Sequence, residues 1–323
     1  MKKNLAAIGG CLLIALGCTK EPLNIDAVEE MPEVALVSGR CAAEQVLQEQ
    51  LAADPGLAAK MQAIEVATQL FIKKPSAEVL SGDVMTIPVV VNVLYATAAQ
   101  NISQAQIQSQ IDVLNADFAA SNTDYSLTPA TFQSSRSGDT KIRFVLDQVI
   151  RKATNRTSFR TDDGMKKSSK GGINPTSPAT KLNLWVCNLS GGILGYAQFP
   201  GGSLSTDGVV IDDNATGKTG SAAAPYGMGR TATHEVGHWL NLRHIWGDAT
   251  CGNDFVNDTP LHQTSNGGCP TFPKYGSCSS TVPMMTMNYM DYTYDACMYM
   301  FTTGQSTRMA ATYAVGGPRA SFR

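Results

Sequence analysis

The pattern of hydrophobic and polar positions predicts a helical N-terminal segment followed by alternating strands and helices. Residues 40–72 are rich in Ala, Leu, Gln and Glu, which favour helix, and Asp-Pro-Gly at 54–56 interrupts them. Residues 86–95 form a continuous run of mostly β-branched residues, which predicts a buried strand. Residues 102–118 place their apolar positions near one helical face, so an amphipathic helix is predicted there, with Ser103 as its N-cap.

Shorter apolar runs bounded by turn residues predict four further strands, at 142–150, 182–187, 194–199 and 209–211. The run at 194–199 lies between glycines and a Pro-Gly-Gly sequence, which indicates a short edge strand. A helix is predicted over 230–241 and a closing helix over 301–315, with a loop-rich stretch between them. This order of elements predicts an α/β domain with an irregular C-terminal half.

The first residues have the features of a targeting segment. Lys2 and Lys3 precede an apolar run over 5–16, which is shorter than the roughly 20 residues of a membrane-spanning helix and fits a signal peptide. The run ends in Ala-Leu-Gly followed by Cys18, which resembles the lipobox of bacterial lipoproteins. We therefore expect export, residues 1–17 as a lipoprotein-type signal, and a lipid on Cys18 as the only membrane attachment. The alternative is an ordinary signal peptide with an incidental cysteine.

Composition and cysteine usage narrow the class of protein. With 16% charged residues, 43% hydrophobic residues and a net charge of −2, the chain is typical of a soluble globular protein with no nucleic-acid partner. Eight cysteines in an exported chain suggest disulfides. Cys187 lies in a predicted buried strand and is expected to be a packed free thiol. Four cysteines cluster in the loop-rich stretch, where three connectivities are possible: Cys251, Cys269, Cys278 and Cys297.

The predicted helix over 230–241 carries a metal-binding pattern. His234 and His238 are four residues apart, so both imidazoles project from one helix face and can bind one Zn²⁺. Glu235 can reach a water beside the metal and act as a general base. If the helix ends near Asn241 and the chain turns back, His244 completes three protein ligands and leaves one position for water and substrate, as in catalytic zinc sites.

The histidine spacing itself argues against two unrelated solvated histidines. Three of the four histidines of the chain lie within eleven residues, at metal-ligand spacing. The remaining one, His262, is in a polar loop and is predicted to be a surface residue without a role.

The same segment resembles the metzincin pattern HExxHxxGxxH. It departs from that pattern at Asn241, where the glycine normally permits a left-handed turn, and Asn tolerates this conformation next best. Downstream, Met290 resembles the methionine of a metzincin Met-turn, which forms an apolar floor under the metal; generic packing is the alternative. Tyr292 is then placed to donate a hydrogen bond to the oxyanion of the tetrahedral intermediate.

Five longer strings resemble the pappalysin family, in particular its compact bacterial members of the ulilysin and cytophagalysin type. They are LGYAQFP at 194–200, DGVVID at 207–212, GRTATHEVGHWLNLRHIWGD at 229–248, NDTP at 257–260 and NYMDYTYDACMYMFTTGQSTRM at 288–309. The resemblance implies a metzincin-like fold: a twisted, mostly parallel five-stranded sheet with two long helices and an irregular C-terminal subdomain. It also implies that a substrate peptide pairs with the edge strand at Gly195, Tyr196 and Ala197.

The resemblance further implies structural calcium and two disulfides. The loop 247–260 offers hard oxygen ligands of the kind that Ca²⁺ prefers, at Asp248, Asp254, Asp258 and Thr259. A solvated loop is the alternative interpretation. The implied disulfides are Cys251–Cys278 and Cys269–Cys297.

The region before the catalytic domain is expected to keep the enzyme latent. Residues 18–35 are predicted to be a tether, 36–80 an inhibitory pro-segment and 81–323 the metallopeptidase domain. Cys41 can occupy the open zinc position as a thiolate, as the resemblance to ulilysin-type zymogens supports. An unpaired or intermolecularly linked cysteine is the alternative. Lys73-Lys74 is the expected exposed cleavage site.

The predicted function is that of an exported zinc endopeptidase. Asp295 is a candidate for the pocket that receives the residue after the scissile bond, where an acid would favour Lys or Arg; a solvated or structural carboxylate is the alternative. Two other functions stay open, a surface binding module that retains a zinc site and a zinc hydrolase of non-peptide amides. The edge strand favours peptides over other amides, because it suits an extended chain.

Overall fold

The computed structural model describes residues 40–74 and 84–323. The predicted signal peptide, the tether, Cys18 and the expected boundary of the pro-segment at 75–83 lie outside the described residues. Within the described part of the chain, no helix combines the length and the apolar character needed to cross a membrane.

A five-stranded mixed sheet forms the centre of the fold. Its strands are β1 (Met85–Tyr95), β2 (Ile142–Ala153), β3 (Leu182–Cys187), β4 (Gly195–Ala197) and β5 (Val209–Asp212). The spatial order is β2-β1-β3-β5-β4. All neighbouring pairs are parallel except β4 with β5, so β4 is the antiparallel edge strand. The predicted α/β class and the mostly parallel sheet are confirmed.

Five α-helices accompany the sheet in the described ranges. They are α1 (Ala43–Ala53), α2 (Leu57–Lys73), α3 (Gln104–Phe118), α4 (Arg230–Trp239) and α5 (Thr303–Tyr313). The predicted cap of α3 is present, since Ser103 Oγ accepts a hydrogen bond from the Gln106 amide at 3.1 Å. The break between α1 and α2 falls at 54–56, where Pro and Gly interrupt the helical pattern.

One hydrophobic core fixes α3 and α4 on the same face of the sheet. Ile107 and Leu114 of α3 and Val236 of α4 are buried in the cluster that contains alternate residues of β1. All ten residues of α4 are buried. A helix enclosed in this way cannot move its polar side chains into solvent, so its two histidines and its glutamate point into a defined interior space.

The turn that ends α4 has the conformation expected from its sequence. Asn241 has φ of 72°, in the left-handed region, and Leu242 N donates to Gly237 O at 2.9 Å. The helix ends at Trp239, two residues before the predicted end. The left-handed residue reverses the chain, so His244 returns towards the face that carries His234.

The C-terminal half is held by cross-links and by buried polar contacts. Disulfides join Cys251 to Cys278 and Cys269 to Cys297, the pairs that the family resemblance implies. The prediction that His262 is a surface residue is wrong. Its side chain is fully buried, and its Nε2 accepts a hydrogen bond from Met285 N at 2.9 Å. The neighbouring residues Leu261, Gln263 and Thr264 are exposed, as the polar pattern predicts, whereas the His262 side chain turns inward to Met285.

The segment before β1 packs directly on the domain. Cys41 pairs with Gly195 in a parallel bridge, so residues 40–42 extend the sheet beyond β4. Ala43, Leu47 and Leu57 of α1 and α2 form a small apolar cluster with Phe199, which follows β4. The open edge of the sheet and the space beside it are thus occupied by residues of the same chain.

Candidate metal centre

Three histidines and a cysteine converge at the end of α4. The ligand atoms of Cys41, His234, His238 and His244 all lie within 4.8 Å of one another. His238 Nε2 is 3.1 Å from the Nε2 atoms of both other histidines. In the described ranges, no other group of three or more His, Cys, Asp or Glu side chains is this close. Sulfur and imidazole nitrogen in a fourfold set are the ligands that Zn²⁺ prefers.

Each imidazole is oriented through its other ring nitrogen. His234 Nδ1 donates to Tyr289 O at 2.7 Å, and His238 Nδ1 donates to Leu242 O at 2.8 Å. Burial lowers the pKa of both rings well below the ordinary histidine value, so they stay neutral. With the proton on Nδ1, each Nε2 lone pair is directed at the shared space, as a metal ligand requires.

The third histidine is oriented by a carboxylate. His244 Nδ1 lies 2.5 Å from Asp248 Oδ1. Asp248 was predicted as a calcium ligand, whereas here it supports the histidine set. The Trp246 ring stacks on His244, with centroids 4.2 Å apart. Trp246 was not identified from the sequence, although it lies two residues after the last histidine.

Glu235 lies beside the histidines and faces Cys41. Its Oε2 is 3.4 Å from Cys41 Sγ, and its Oε1 has no hydrogen-bond partner among the described residues. Burial raises the pKa of Glu235 to about 8, and it raises the pKa of the Cys41 thiol as well. A bound zinc ion would act in the opposite direction on the thiol, because coordination removes its proton. Glu235 also packs closely against the edge strand at Gly195. A Cβ at that position would lie only 3.0 Å from Glu235 Cγ, so glycine leaves room for the glutamate.

The Met-turn places Met290 under the histidines and Tyr292 at their side. A Cβ at Gly237 would lie 2.6 Å from Met290 Sδ, so the methionine is in close contact with the middle of α4. The Tyr292 hydroxyl is 3.1 Å from His244 Nε2 and donates to Cys41 O at 3.1 Å. Tyr292 thus reaches the space that the cysteine occupies.

The edge strand contacts residues 40–42 through its backbone. Ala42 N donates to Gly195 O at 3.0 Å, and Leu194 N donates to Arg40 O at 2.9 Å. The Tyr196 side chain is directed away from this edge, because its hydroxyl is buried and donates to Asp163 Oδ1 at 2.9 Å. Ala197 is buried too. Any peptide paired with β4 would therefore be recognised by backbone groups here.

Asp295 forms a buried site for a cation. Its Oδ1 accepts from Arg40 Nη2 at 2.7 Å, and both side chains are almost inaccessible to solvent. Its Oδ2 accepts from the amides of Met228 and Arg230 at 3.0 and 3.1 Å. The Arg40 guanidinium also donates to Thr293 O and lies over the Tyr226 ring, 4.8 Å from its centroid. The alternative of a solvated Asp295 is excluded by this burial.

The candidate calcium ligands serve other contacts. Asp254 accepts from Thr259 Oγ1 at 2.8 Å. Asp258 accepts from Thr302 Oγ1 at 2.6 Å and from Gly304 N at 2.8 Å, at the start of α5. With Asp248 turned to His244, the three carboxylates do not form one ligand group among the described residues.

Comparisons with known proteins agree with this geometry. The family model for pregnancy-associated plasma protein-A matches residues 180–314. An extracellular metalloprotease of Arthroderma benhamiae is 31% identical over 265 residues, which cover 80% of this chain and 88% of that protein. An extracellular metalloprotease of Colletotrichum graminicola is 32% identical over 294 residues, covering 85% and 94%.

Solved structures of mirolysin from Tannerella forsythia are also similar. Mature mirolysin in complex with a cleaved peptide is 47% identical, with a TM-score of 0.72, and the match covers 74% of this chain and 96% of that one. A promirolysin mutant is 43% identical, with a TM-score of 0.80, covering 88% and 97%. The sheet, the histidine cluster and these matches together place the chain in the pappalysin family, the M43 zinc metalloendopeptidases, within the metzincin-like fold.

Proposed function

We propose that this zinc endopeptidase is made as a latent precursor, that His234, His238 and His244 hold the catalytic zinc, and that Glu235 is the general base. The observation that carries the proposal is the convergence of three oriented Nε2 atoms beside a buried carboxylate. Cys41 is the fourth ligand of the latent form. Four protein ligands close a zinc site, so removal of Cys41 is the step that opens it to water and substrate.

The chain supplies three groups to the reaction. Zn²⁺, when bound, would polarise the peptide carbonyl and lower the pKa of a water molecule. Glu235 accepts a proton from the attacking water and delivers it to the leaving amine. The Tyr292 hydroxyl, already within 3.1 Å of a ligand nitrogen, donates a hydrogen bond to the oxyanion that develops on the former carbonyl oxygen. Backbone groups of Gly195 and its neighbours hold the peptide along β4.

The general-base assignment is tested by Glu235→Ala in the mature enzyme. The variant is expected to retain one zinc per chain and to lose nearly all peptide cleavage, whereas His238→Ala loses both. Asp112→Ala, which removes an exposed carboxylate of α3, is the matched control and keeps both properties. Substantial cleavage by a folded, zinc-loaded Glu235→Ala protein would contradict the mechanism.

The pro-segment supports a preference for Lys or Arg after the scissile bond. Arg40 comes directly before Cys41, and its guanidinium forms an ion pair with Asp295. A substrate residue that follows the scissile bond would meet the same carboxylate once the pro-segment has left. Peptides that differ only at this residue should be cleaved faster with Arg than with Leu, and Asp295→Asn should reduce their ratio by about tenfold or more. An unchanged ratio would contradict this role.

Secretion fits the relatives, which are named extracellular metalloproteases. The finer proposal is that residues 1–17 are a lipoprotein signal and that Cys18 carries the lipid, which places the precursor at the outer membrane, the cell surface or the periplasm. Cleavage between the pro-segment and the catalytic domain would then release the mature form. Metabolic labelling with a fatty acid should mark the wild-type precursor and leave a Cys18→Ala variant unmarked.

A calcium ion in the loop 247–260 is a further proposal, supported by Asp254. Its carboxylate is almost completely buried, and burial raises its pKa to about 6. A cation would relieve this penalty at neutral pH. Calcium at about a hundred times its dissociation constant should stabilise the protein by about 2.7 kcal/mol, and Asp254→Asn should abolish that shift in Tm. If calcium did not raise the Tm of the wild-type protein, the calcium proposal would be contradicted.

A further inference from the structure

Two guanidinium groups of the catalytic domain are paired with carboxylates of the pro-segment. Arg243 Nη1 lies 3.6 Å from Glu44 Oε2. Arg308 donates to both carboxylate oxygens of Glu65, at 2.9 and 2.5 Å. Both acids lie in residues 40–74, so maturation removes both carboxylates and leaves both arginines in the enzyme.

Arg243 and Asp295 pair with residues of the pro-segment that lie on either side of Cys41 in the sequence. Along the pro-segment, Arg40 contacts Asp295, Cys41 faces the histidines, and Glu44 comes three residues later, next to Arg243. Because the proposed function assigns Asp295 to the residue after the scissile bond, Arg243 is on the side of the residues before it.

Both arginines are held in place by the catalytic domain itself. The Arg243 guanidinium lies over the Phe199 ring, 4.4 Å from its centroid, and its Nε has no hydrogen-bond partner among the described residues. The Arg308 Nε donates to Asn241 O at 2.7 Å. Loss of the pro-segment therefore leaves two positioned cations, Arg243 beside Phe199 and Arg308 close enough to act on Arg243 electrostatically, with donors that favour a carboxylate.

We propose that Arg243 is a specificity-determining residue that selects an acidic side chain in the part of the substrate before the scissile bond. This inference rests on the proposed peptidase function. Glu44 marks the place of the selected carboxylate in the latent form. Arg308 adds positive potential to the same region, which strengthens the attraction for acidic residues.

The test uses the full chain after maturation and peptides with Arg fixed after the scissile bond. Each of the four residues before that bond is changed in turn from Gln to Glu, which alters charge at nearly constant shape. For wild type, Glu at one or more positions should raise kcat/KM by about threefold to tenfold, chiefly through KM. The gain should shrink at high salt, because screening weakens exposed charge pairs.

Variants assign the effect to Arg243. Arg243→Gln should bring the Glu-to-Gln ratio to about one, and Arg243→Lys should restore part of it. Arg151→Gln is the matched control: Arg151 contacts Asn101 and the Ile102 carbonyl, and its loss should leave the ratio at the wild-type value.

Three results would overturn the inference. A wild-type ratio near one at every position, with the peptides still cleaved, refutes it alone, and this result does not depend on the folding of any variant. A ratio that falls equally in Arg151→Gln and Arg243→Gln also refutes it. Absence of cleavage of all peptides, the Gln series included, refutes the proposed function and this inference with it.

Discussion

Residues 40–74, the proposed pro-segment, contact the catalytic domain at two regions that differ in the kind of contact. At its start, Arg40 and Cys41 are buried, and they engage Asp295, the histidine cluster and the backbone of β4. At its far end, α2 contributes Glu65, a partly exposed acid that pairs with the buried Arg308, and Thr68, which is 3.5 Å from Asn241. Val66 and Leu70 of this helix remain more than half exposed.

The two regions are therefore expected to contribute differently to latency. In the proposed function, the first region blocks the zinc ligands. Arg40, Cys41 and Asp295 are buried, so loss of one partner leaves a buried polar group unsatisfied. The second region contacts the turn at Asn241 and the Arg308 side chain. We infer that the first region sets whether the precursor is active, and that the second sets how often α2 opens for cleavage near Lys73 and Lys74.

Substitution of Cys41 should have the largest effect. Full-length Cys41→Ala is expected to cleave peptides without prior processing, because the fourth zinc position becomes accessible. In a latent protein stabilised by Glu235→Ala, X-ray absorption should find sulfur about 2.3 Å from zinc, and Cys41→Ala should remove that signal.

Cys187→Ala is the control for the cysteine experiment. Cys187 is the other free, buried thiol in the described residues, in β3, away from the histidines. It should cost some stability by creating a cavity and leave latency unchanged. Equal latency of wild type and Cys41→Ala, with no sulfur at the zinc, would leave Cys41 without an inhibitory role.

Substitution of Arg40 should have the next largest effect. Arg40→Gln leaves the Asp295 carboxylate buried without its cation, a change that costs about 3 kcal/mol in comparable buried pairs. The pro-segment should therefore dissociate and be processed much faster, although the two amides at Asp295 Oδ2 remain. Maturation can be followed by gel electrophoresis, and Arg151→Gln, at an exposed arginine, serves as control. Unchanged maturation would show that the Arg40–Asp295 pair does not hold the first region in place.

Substitution of Glu65 should have a smaller and more local effect. Glu65→Gln leaves Arg308 with its bond to Asn241 O and removes the ion pair, so α2 should exchange its amide hydrogens faster while residues 40–42 stay protected. Glu49→Gln changes an exposed acid of α1 and should leave α2 unaffected. If amide exchange became faster by the same factor in both regions, the two regions would open together as one cooperative unit.

The sequence predicted α4 and the strands of the sheet correctly because the patterns that indicate them are local. The spacing of His234 and His238 requires a helix, Asn241 allows the reversal that returns His244, and the β-branched runs identify the strands. The burial of His262 and the contact of Asp248 with His244 were not predicted, for a different reason. Both lie in loops rich in polar residues, where the partner of a side chain is decided by how the loop folds, and neither the burial of His262 nor the Asp248–His244 contact has a local pattern.

The contacts of α2 with the rest of the protein also have no local pattern in the sequence, because they depend on tertiary packing. The pH dependence of the Glu65–Arg308 ion pair tests them. Burial acts to raise the pKa of Glu65, but the hydrogen bonds and charge of Arg308 outweigh it, so the pKa is lowered from its ordinary value of 4.5.

A carboxylate with a lowered pKa in the docked state stabilises docking fully above its undocked pKa, and this contribution is lost as the pH falls through the lowered value. Protection of the α2 amides, corrected for intrinsic exchange, should thus be constant above about pH 4.5 and decline below it. In Glu65→Gln the protection should be lower and should not show this decline, with both proteins carrying Glu235→Ala to prevent self-cleavage. A decline of equal size in the Gln variant would assign the acid sensitivity to another group.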